Sequence, residues 1–588
     1  MRWDGQARAV TIYVGLVGLF SVYSSRLIDL QIVKHDEYTA LAAEKHNHKQ
    51  TIYARRGIIQ DVNNESLAEN VPVRRVVADG SHIKDPVAVA EAIASLLEMD
   101  PHQLADRLNT QSKYVVIKSG VSEQTADQIR KALQVANLRG ISFERDFVRS
   151  YPNGQMLSQV IGFIDHEHKG MMGIERSMQD FMQGTNGYRY IEHDRTGREL
   201  VPYRGLETPA KDGCNVKLTV DLGLQDILES ELDAACAEFK PQNATAIMMR
   251  PQTGEILAMT SRPTFDANNP GDATPDQTKN RSVVDMVEPG STFKIVTTSA
   301  VLEEKLVTPD TPIFCENGRF RYAGRILKDA HPLGVLTVHG ILQRSSNIGV
   351  AKLALQLGET KLYGYIRRFG FGQKTGILLS GEIAGLVNPP HRWSKLDITR
   401  IPMGHSVAVT PLQIVAAMSS IANGGKLMKP LIISQITDKD GRPVATFTPE
   451  VVRQVASRET TQKITSALKD VVGVGMAKKA AVPGFQVAGK TGTAQKVDPK
   501  GGYMQGHYVA SFVGFIPADD PKCTVLVLLD DPIRKGGLAF GGAVAAPVFG
   551  RIVARAAQYM DLCPTEQIPS SRTLNGSKKT VLAQWNYD

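Results

Sequence analysis

Residues Ala9 to Ser25 read AVTIYVGLVGLFSVYSS, an uncharged run bounded by Arg8 and Arg26. As a helix it spans about 25 Å, the short end of what crosses a bilayer. Leu27, Ile28, Leu30 and Ile32 let the helix continue past Arg26, whose guanidinium can snorkel to the interface. The reading is an anchor over residues 9–30. Arg2, Arg8 and the terminal amine outweigh Asp4, which keeps residues 1–8 as a short cytoplasmic tail. A cleaved signal peptide competes, because Val22 and Ser24 make a passable cleavage site. The apolar run is long for such a peptide and no clear A-x-A follows, so a retained anchor is favoured. No second span follows, which puts everything after about residue 35 outside the cytoplasm.

The remaining length suits two or three domains in a chain of 588 residues. At 42% hydrophobic and 22% charged residues the balance is globular. The net charge of +8 is spread along the chain and mixed with acids. With no zinc-finger or RNA-recognition signature, nucleic-acid binding is not expected, and a surface facing an anionic membrane or wall is the milder reading. The five cysteines (Cys214, Cys236, Cys315, Cys523 and Cys563) contain no C-x-x-C pair. Neither a disulfide framework nor a zinc site follows.

Residues 35–210 mix alternating stretches such as RRVVADGSHI with helical ones such as AVAEAIASLLEM. TPAKDGCN, residues 208–215, reads as a linker. A larger domain covers 211–563. It opens with the strand VKLTV, the N-cap Asp221 and an amphipathic helix carrying Leu224, Ile227, Leu228 and Leu232. ATAIMMRPQTGEILAMTSRP reads as a hairpin turning at Pro251 to Gly254, and HYVASFVGFIPADDPKCTVLVLLDDP as another. VAAPVFGRIVARAAQYM is helical. Strands at both ends with helices between predict an α+β domain, one antiparallel sheet closed by both termini and covered by helices. The polar tail 564–588 lacks periodicity and reads as mobile.

Three short motifs carry chemistry. In VEPGSTFKIVTTSAVLEE a turn at Pro289-Gly290 leads into a helix, with Ser291 in its first turn and Lys294 three residues on, on the same face. A serine hydroxyl needs a base, and a lysine serves if desolvation or a neighbouring cation keeps it neutral. The helix N-terminus favours the developing alkoxide. Alone the pattern is weak, because S-x-x-K arises by chance about once or twice in a chain this long. In Ser345-Ser346-Asn347, before a helix starting near Ile348, Ser345 can shuttle a proton and Asn347 can bond both the lysine and a peptide substrate. Helix capping explains the same residues. Lys490-Thr491-Gly492-Thr493 lies on an alternating, strand-like stretch. Lys490 would help keep the first lysine neutral. Gly492 admits a close backbone, and Thr491 and Thr493 can bind a carboxylate. The N–H groups of Ser291 and Thr493 would form an oxyanion hole.

Taken in order, the three match the signature of penicillin-binding proteins and class A β-lactamases. The chain resembles the class B penicillin-binding proteins over nearly its whole length. Arg56-Gly57-Ile58-Ile59 with Asp61 and Leu67-Ala68, then Arg149-x-Tyr151-Pro152, Gly162 and Gly173-x-Glu175, resemble the family's non-catalytic pedestal, here 35–210. Thr410-Pro411-Leu412-Gln413, Gly541-Gly542 and Ala546-Pro547-Val548-Phe549 resemble its transpeptidase domain. Arg392-Trp393-Ser394 is more similar to the cell-division branch, penicillin-binding protein 3, than to the elongation branch. The family often has Gly-x-Gly where this chain has Gly404-His405-Ser406, so His405 and Ser406 either line the cleft or fill a turn. The short tail departs from longer-tailed relatives and puts contacts inside the cell in doubt.

The resemblance implies a peptidoglycan D,D-transpeptidase that needs no metal or organic cofactor. Ser291 would take the acyl group of a D-Ala-D-Ala stem peptide and pass it to an amine of a neighbouring stem, and β-lactams would acylate the same serine. Implied catalytic residues are Ser291, Lys294, Ser345, Asn347 and Lys490, with Thr491, Gly492 and Thr493 binding substrate. Implied partners are a membrane-embedded glycan polymerase of the shape, elongation, division and sporulation family and other divisome proteins. The implied location is the bacterial inner membrane, single-pass, with the catalytic domain periplasmic and at the septum. The alternatives are an elongation-branch enzyme, an anchored β-lactamase or penicillin sensor, and a silent scaffold. No deacylating glutamate can be assigned, there is no room for a cytoplasmic effector before residue 9, and the motif residues are intact, so each of the last three is disfavoured.

Overall fold

The computed structural model describes residues 5–38, 47–192, 207–498, 501–534 and 537–566. Most of the tail expected after residue 563 and the first four residues lie outside these. The apolar run is helical over Gly5–Ile28 and continues as a wider π-type turn over Asp29–Val33. Its α-helical part rises about 36 Å, enough to cross a hydrocarbon core of about 30 Å. Arg26 is paired as well as placed near the end of the helix, donating to Asp29 at 2.8 Å.

The chain forms two compact units. The first comprises Met1–Gly57, Val73–Phe147 and Gln183–Gly213. Its helices Pro86–Ile93, Pro101–Leu108 and Glu123–Val135 begin at Asp85, Asp100 and Ser122, whose side chains each accept a backbone N–H of the first turn. Pro86 and Pro101 stand where a missing N–H costs nothing. Ile93, Leu97, Leu104 and Ile129 meet Val76, Ala78 and Ile117 in its core. Residues expected to be a linker are partly strand: Glu207–Thr208 pairs with Gly187–Glu192, and Thr185 and Lys211 exchange both backbone hydrogen bonds.

The second unit comprises Ile58–Pro72, Val148–Met182 and Cys214–Asp588. Two pieces of the stretch read as pedestal therefore fold with the C-terminal part. They bring the buried Arg149, which donates to Glu175 at 2.7 Å, beside Tyr151. Strand Asn215–Leu218 does not join the main sheet, contrary to its expected place at the domain's opening. It pairs instead with Ile433–Thr437 and, in parallel, with Ile59–Gln60. Asp221 then caps helix Leu222–Phe239 through the N–H groups of Gly223 and Leu224.

The main sheet is antiparallel, in the spatial order Ile256–Arg262, Asn243–Met249, Cys523–Asp530, Tyr503–Ile516, Ala488–Val497. Alternate residues point to opposite faces. Ile247, Met249, Val513, Phe515 and Leu526 share a core with helices Lys294–Glu303 and Pro411–Ala422. Ala246, Met248, Phe512, Val525 and Val527 pack with helices Leu222–Phe239 and Gly541–Tyr559. Both faces are covered, so these strands read as continuous apolar runs. The first and last strands of this sheet in chain order, Asn243–Met249 and Cys523–Asp530, are neighbours within it, giving the α+β layered sheet that the hairpin pattern predicts.

Candidate active site

Ser291 lies in a single 3₁₀ turn, Gly290–Phe293, and the α-helix proper starts at Lys294. The turn is tight because two backbones flank it. A Cβ on Gly290, whose φ is +55°, would lie 3.0 Å from the carbonyl oxygen of Thr493. On the other side Gly290 N–H donates to the carbonyl of Gly404 at 3.3 Å. Val287 and Val409 exchange both backbone bonds at 2.9 Å. Thr410-Pro411-Leu412-Gln413 secures that segment. Thr410 caps helix Pro411–Ala422, Pro411 occupies its first turn, and Gln413 returns a side-chain bond to the Thr410 N–H.

Lys294 is fully buried, with its amine among the residues of the second motif. Its Nζ donates to the Ser345 carbonyl, to Ser345 Oγ at 3.1 Å and to Asn347 Oδ1 at 2.8 Å. Ser345 adopts a left-handed conformation at the end of helix Val338–Arg344. The next helix starts at Asn347, one residue before the expected Ile348, and Ser346 is its cap. Capping and chemistry are thus divided among neighbours: Ser346 receives the Gly349 N–H, which leaves Ser345 and Asn347 to face the lysine.

Asp329 fixes this corner and was not foreseen. It accepts from Ser346 Oγ at 2.7 Å and from the N–H groups of Asn347 and Ile348. Nothing local in KDAHP distinguishes that aspartate from a surface one.

Lys490 enters from the edge strand Ala488–Val497, also fully buried, and donates to Ser345 Oγ at 3.0 Å. Burial, then the neighbouring Lys490, hold Lys294 well below its usual value, with Asp329 pulling the other way. Burial lowers Lys490 to about 7. Both amines are thus held below the ordinary lysine value, the condition that lets a lysine act as a base. A Cβ on Gly492 would meet Ser511 Oγ at 2.3 Å and the Pro289 carbonyl at 3.0 Å, which is why the strand needs glycine there. Thr493 Oγ1 accepts from Gly541 N–H at 3.1 Å, so its own proton remains available for an anion. Thr491 is buried, with its hydroxyl 3.4 Å from Lys490. Every residue named from the sequence except Ser291 and Gly492 thus has its polar partner identified here, and Ser291 makes no hydrogen bond to Lys294 among the described residues.

A second cluster borders the Ser291 turn. Glu288 accepts from Ser406 N–H at 3.0 Å, pairs with His405 Nδ1 at 2.7 Å and receives the Tyr503 hydroxyl at 3.3 Å. His405 and Ser406 therefore bind this carboxylate beside the site. Burial and the adjacent Glu288 push Tyr503 up to about 12. Glu288 and Tyr503 were missed because 215 residues separate them.

The family model for the penicillin-binding protein transpeptidase domain matches residues 244–554, and that for the penicillin-binding protein dimerisation domain matches 51–218. Stage V sporulation protein D of Bacillus subtilis is 36% identical, over 92% of this chain and 84% of its own length. Peptidoglycan D,D-transpeptidase FtsI of Escherichia coli is 32% identical, over 92% of this chain and 89% of its own. A crystal structure of penicillin-binding protein 3 from Mycobacterium tuberculosis with ampicillin superposes with a TM-score of 0.70 at 28% identity, covering 90% of this chain and all of that one. With both domains matched and the relatives aligned nearly end to end, the chain belongs to the class B penicillin-binding proteins, the peptidoglycan D,D-transpeptidases.

Proposed function

We propose that Ser291 is the acylating nucleophile of this transpeptidase and that the enzyme crosslinks stem peptides during septal wall synthesis. The observation that carries the first part is Ser345 Oγ, held between the buried amines of Lys294 and Lys490. Ser291 Oγ bonds to the carbonyl carbon of the penultimate D-alanine while its proton passes to neutral Lys294. The carbonyl electron pair moves onto oxygen, facing the N–H groups of Ser291 and Thr493. Collapse breaks the C–N bond, and the departing D-alanine amine takes the proton from Lys294 through the Ser345 hydroxyl. Asn347 holds the donor peptide, and Thr491 and Thr493 hold the terminal carboxylate. An acceptor amine then attacks the ester, gives up its proton along the same path, and frees Ser291 as an alcohol.

Labelling with a fluorescent penicillin tests this. Ser291→Ala should abolish covalent labelling with the melting temperature preserved, and retained labelling would sink the assignment. The septal part rests on the resemblance of Arg392-Trp393-Ser394 to the cell-division branch. Partners of that role would be a membrane-embedded glycan polymerase and divisome proteins, reached from the N-terminal apolar helix Gly5–Val33. The sporulation relative supports a second reading, in a developmental wall. A fluorescently tagged chain at mid-cell in growing cells supports division, and signal confined to sporulating cells or along the lateral wall refutes it.

A further inference from the structure

Strands Arg319–Tyr322 and Arg325–Lys328 form a hairpin closed by the two residues Ala323 and Gly324, both left-handed at φ +43° and +76°. So short a turn fixes the register, with Arg319 opposite Lys328 and Arg321 opposite Ile326. Phe320, Tyr322 and Leu327 therefore share one face. Leu327 is buried there, and Lys352 lies 5.2 Å from the Phe320 ring. The other face carries Arg319, Arg321 and Lys328, all exposed.

Like charges directly opposite on paired strands destabilise them, and a sequence free to choose would place an acid in one position. None is there. Asp329, the only acid between residues 319 and 344, is spent on Ser346 and the helix start behind it. None of the three cations makes an ion pair among the described residues. The hairpin thus keeps an uncompensated cationic face in a unit whose other exposed lysines and arginines often pair.

Its position says what the face meets. The carbonyl of Lys328 accepts from Asn347 Nδ2 at 3.2 Å, so the strip starts one backbone away from the Lys294 and Ser345 cluster. Two residues along a strand and one step across it make a patch about 8 Å across, the reach of two to three extended peptide residues. We infer that Arg319 and Arg321 bind the internal carboxylates of the stem peptide whose D-Ala-D-Ala end reacts at Ser291. This rests on the transpeptidase reading of Ser291 and adds a carboxylate subsite outside the three motifs.

The test measures D-alanine release by the full chain in detergent from two synthetic pentapeptides. They are L-Ala-γ-D-Glu-L-Lys-D-Ala-D-Ala and the same peptide with the glutamate α-carboxylate converted to a carboxamide. Exposed charge-assisted pairs are individually modest, so the wild-type preference in kcat/KM for the carboxylate should be about five- to tenfold, growing as salt is lowered. Arg319→Gln/Arg321→Gln should bring the two peptides to parity, with penicillin labelling and turnover of the carboxamide unchanged. An undiminished preference in the variant overturns the inference, as does an equal fall for both peptides. Retained preference with lost binding to vesicles containing anionic lipid would overturn it in favour of a membrane-facing surface. No release from either peptide by a wild-type chain that penicillin does not label would overturn the Ser291 reading itself.

Discussion

Lys490 Nζ donates to the hydroxyl of Ser345 at 3.0 Å. Lys294 Nζ lies 3.1 Å from the same hydroxyl. A hydroxyl can accept from one amine while donating to the other only if the second amine has a free lone pair. The arrangement therefore suits one neutral and one protonated lysine. Because Lys490 helps hold Lys294 down, Lys490→Gln should let the Lys294 value rise. The acid limb of the penicillin acylation rate should move to higher pH, read between pH 6 and 10. A limb that stays in place would assign the base elsewhere.

The same burial costs stability. Lys490 binds its proton at about 7 when folded and at its ordinary 10.5 when unfolded. The unfolded chain therefore holds more protons through that window, and stability rises with pH from about 7 to 10.5. The burden is fully present below the window. Lys490→Met should be inactive yet melt higher than the wild type at pH 7, with the gap closing toward pH 10. Calorimetry at the two pH values checks this, and a lower melting point at pH 7 would contradict it.

Asp329 receives three donors at the Ser345 to Asn347 corner. Asp329→Ala leaves Ser346 Oγ and two helix N–H groups without their acceptor, at a cost of about 1–3 kcal/mol in urea unfolding. Acylation should slow as well, since Lys294 takes its hydrogen bonds from this corner. A stable variant that acylates at the normal rate would make Asp329 dispensable.

At Gly492 an added methyl collides with Ser511 Oγ. Gly492→Ala should lose most acylation activity, and adding Ser511→Ala should restore part of the stability, with the Pro289 carbonyl still crowding the site at 3.0 Å. Thermal melts of the single and double variants measure the rescue. Equal melting points would mean that the backbone contact alone decides.

Glu288 joins the turn before Ser291 to residues 405–406 and to Tyr503. Glu288→Ala should slow acylation about tenfold, a loss of positioning rather than of chemistry. Glu288→Gln, which keeps an acceptor for the Ser406 N–H, should recover much of it. Identical rates for the two would show that charge, not position, is what matters.

The parts of this molecule that were legible in the sequence are those decided within a few residues. Asp221 followed by Leu224 and Leu228 marks a helix start. The turn at Pro251 to Gly254 marks a hairpin, and the apolar runs at Met248 and Val527 mark strands covered on both faces. The three motifs could be placed on a helix start, a helix junction and a strand, and the structure tightens the first to a 3₁₀ turn. Long-range partners left no local mark. Asn215–Leu218 looks like any half-buried strand, and only its pairing with Ile433–Thr437 reveals which sheet it joins. The return of Ile58–Pro72 and Val148–Met182 to the second unit is equally silent, because Arg149 finds Glu175 across 26 residues. Asp329 and Glu288 act on groups 17 and 117 positions away.

The central strand of the main sheet, Cys523–Asp530, is also its last in the chain, and it pairs with the first, Asn243–Met249. Such a sheet cannot close as the polypeptide emerges: its earliest strand pairs at once with Ile256–Arg262, but its other edge waits for a partner made some 280 residues later. Until then nothing holds the edge strand against the Ser291 turn, and the two lysines stay wet and protonated. The burial that lowers Lys294 and Lys490 therefore depends on strands made after both of them. A chain cut before Cys523 would carry all three motifs and still leave the edge of Asn243–Met249 without its long-range partner.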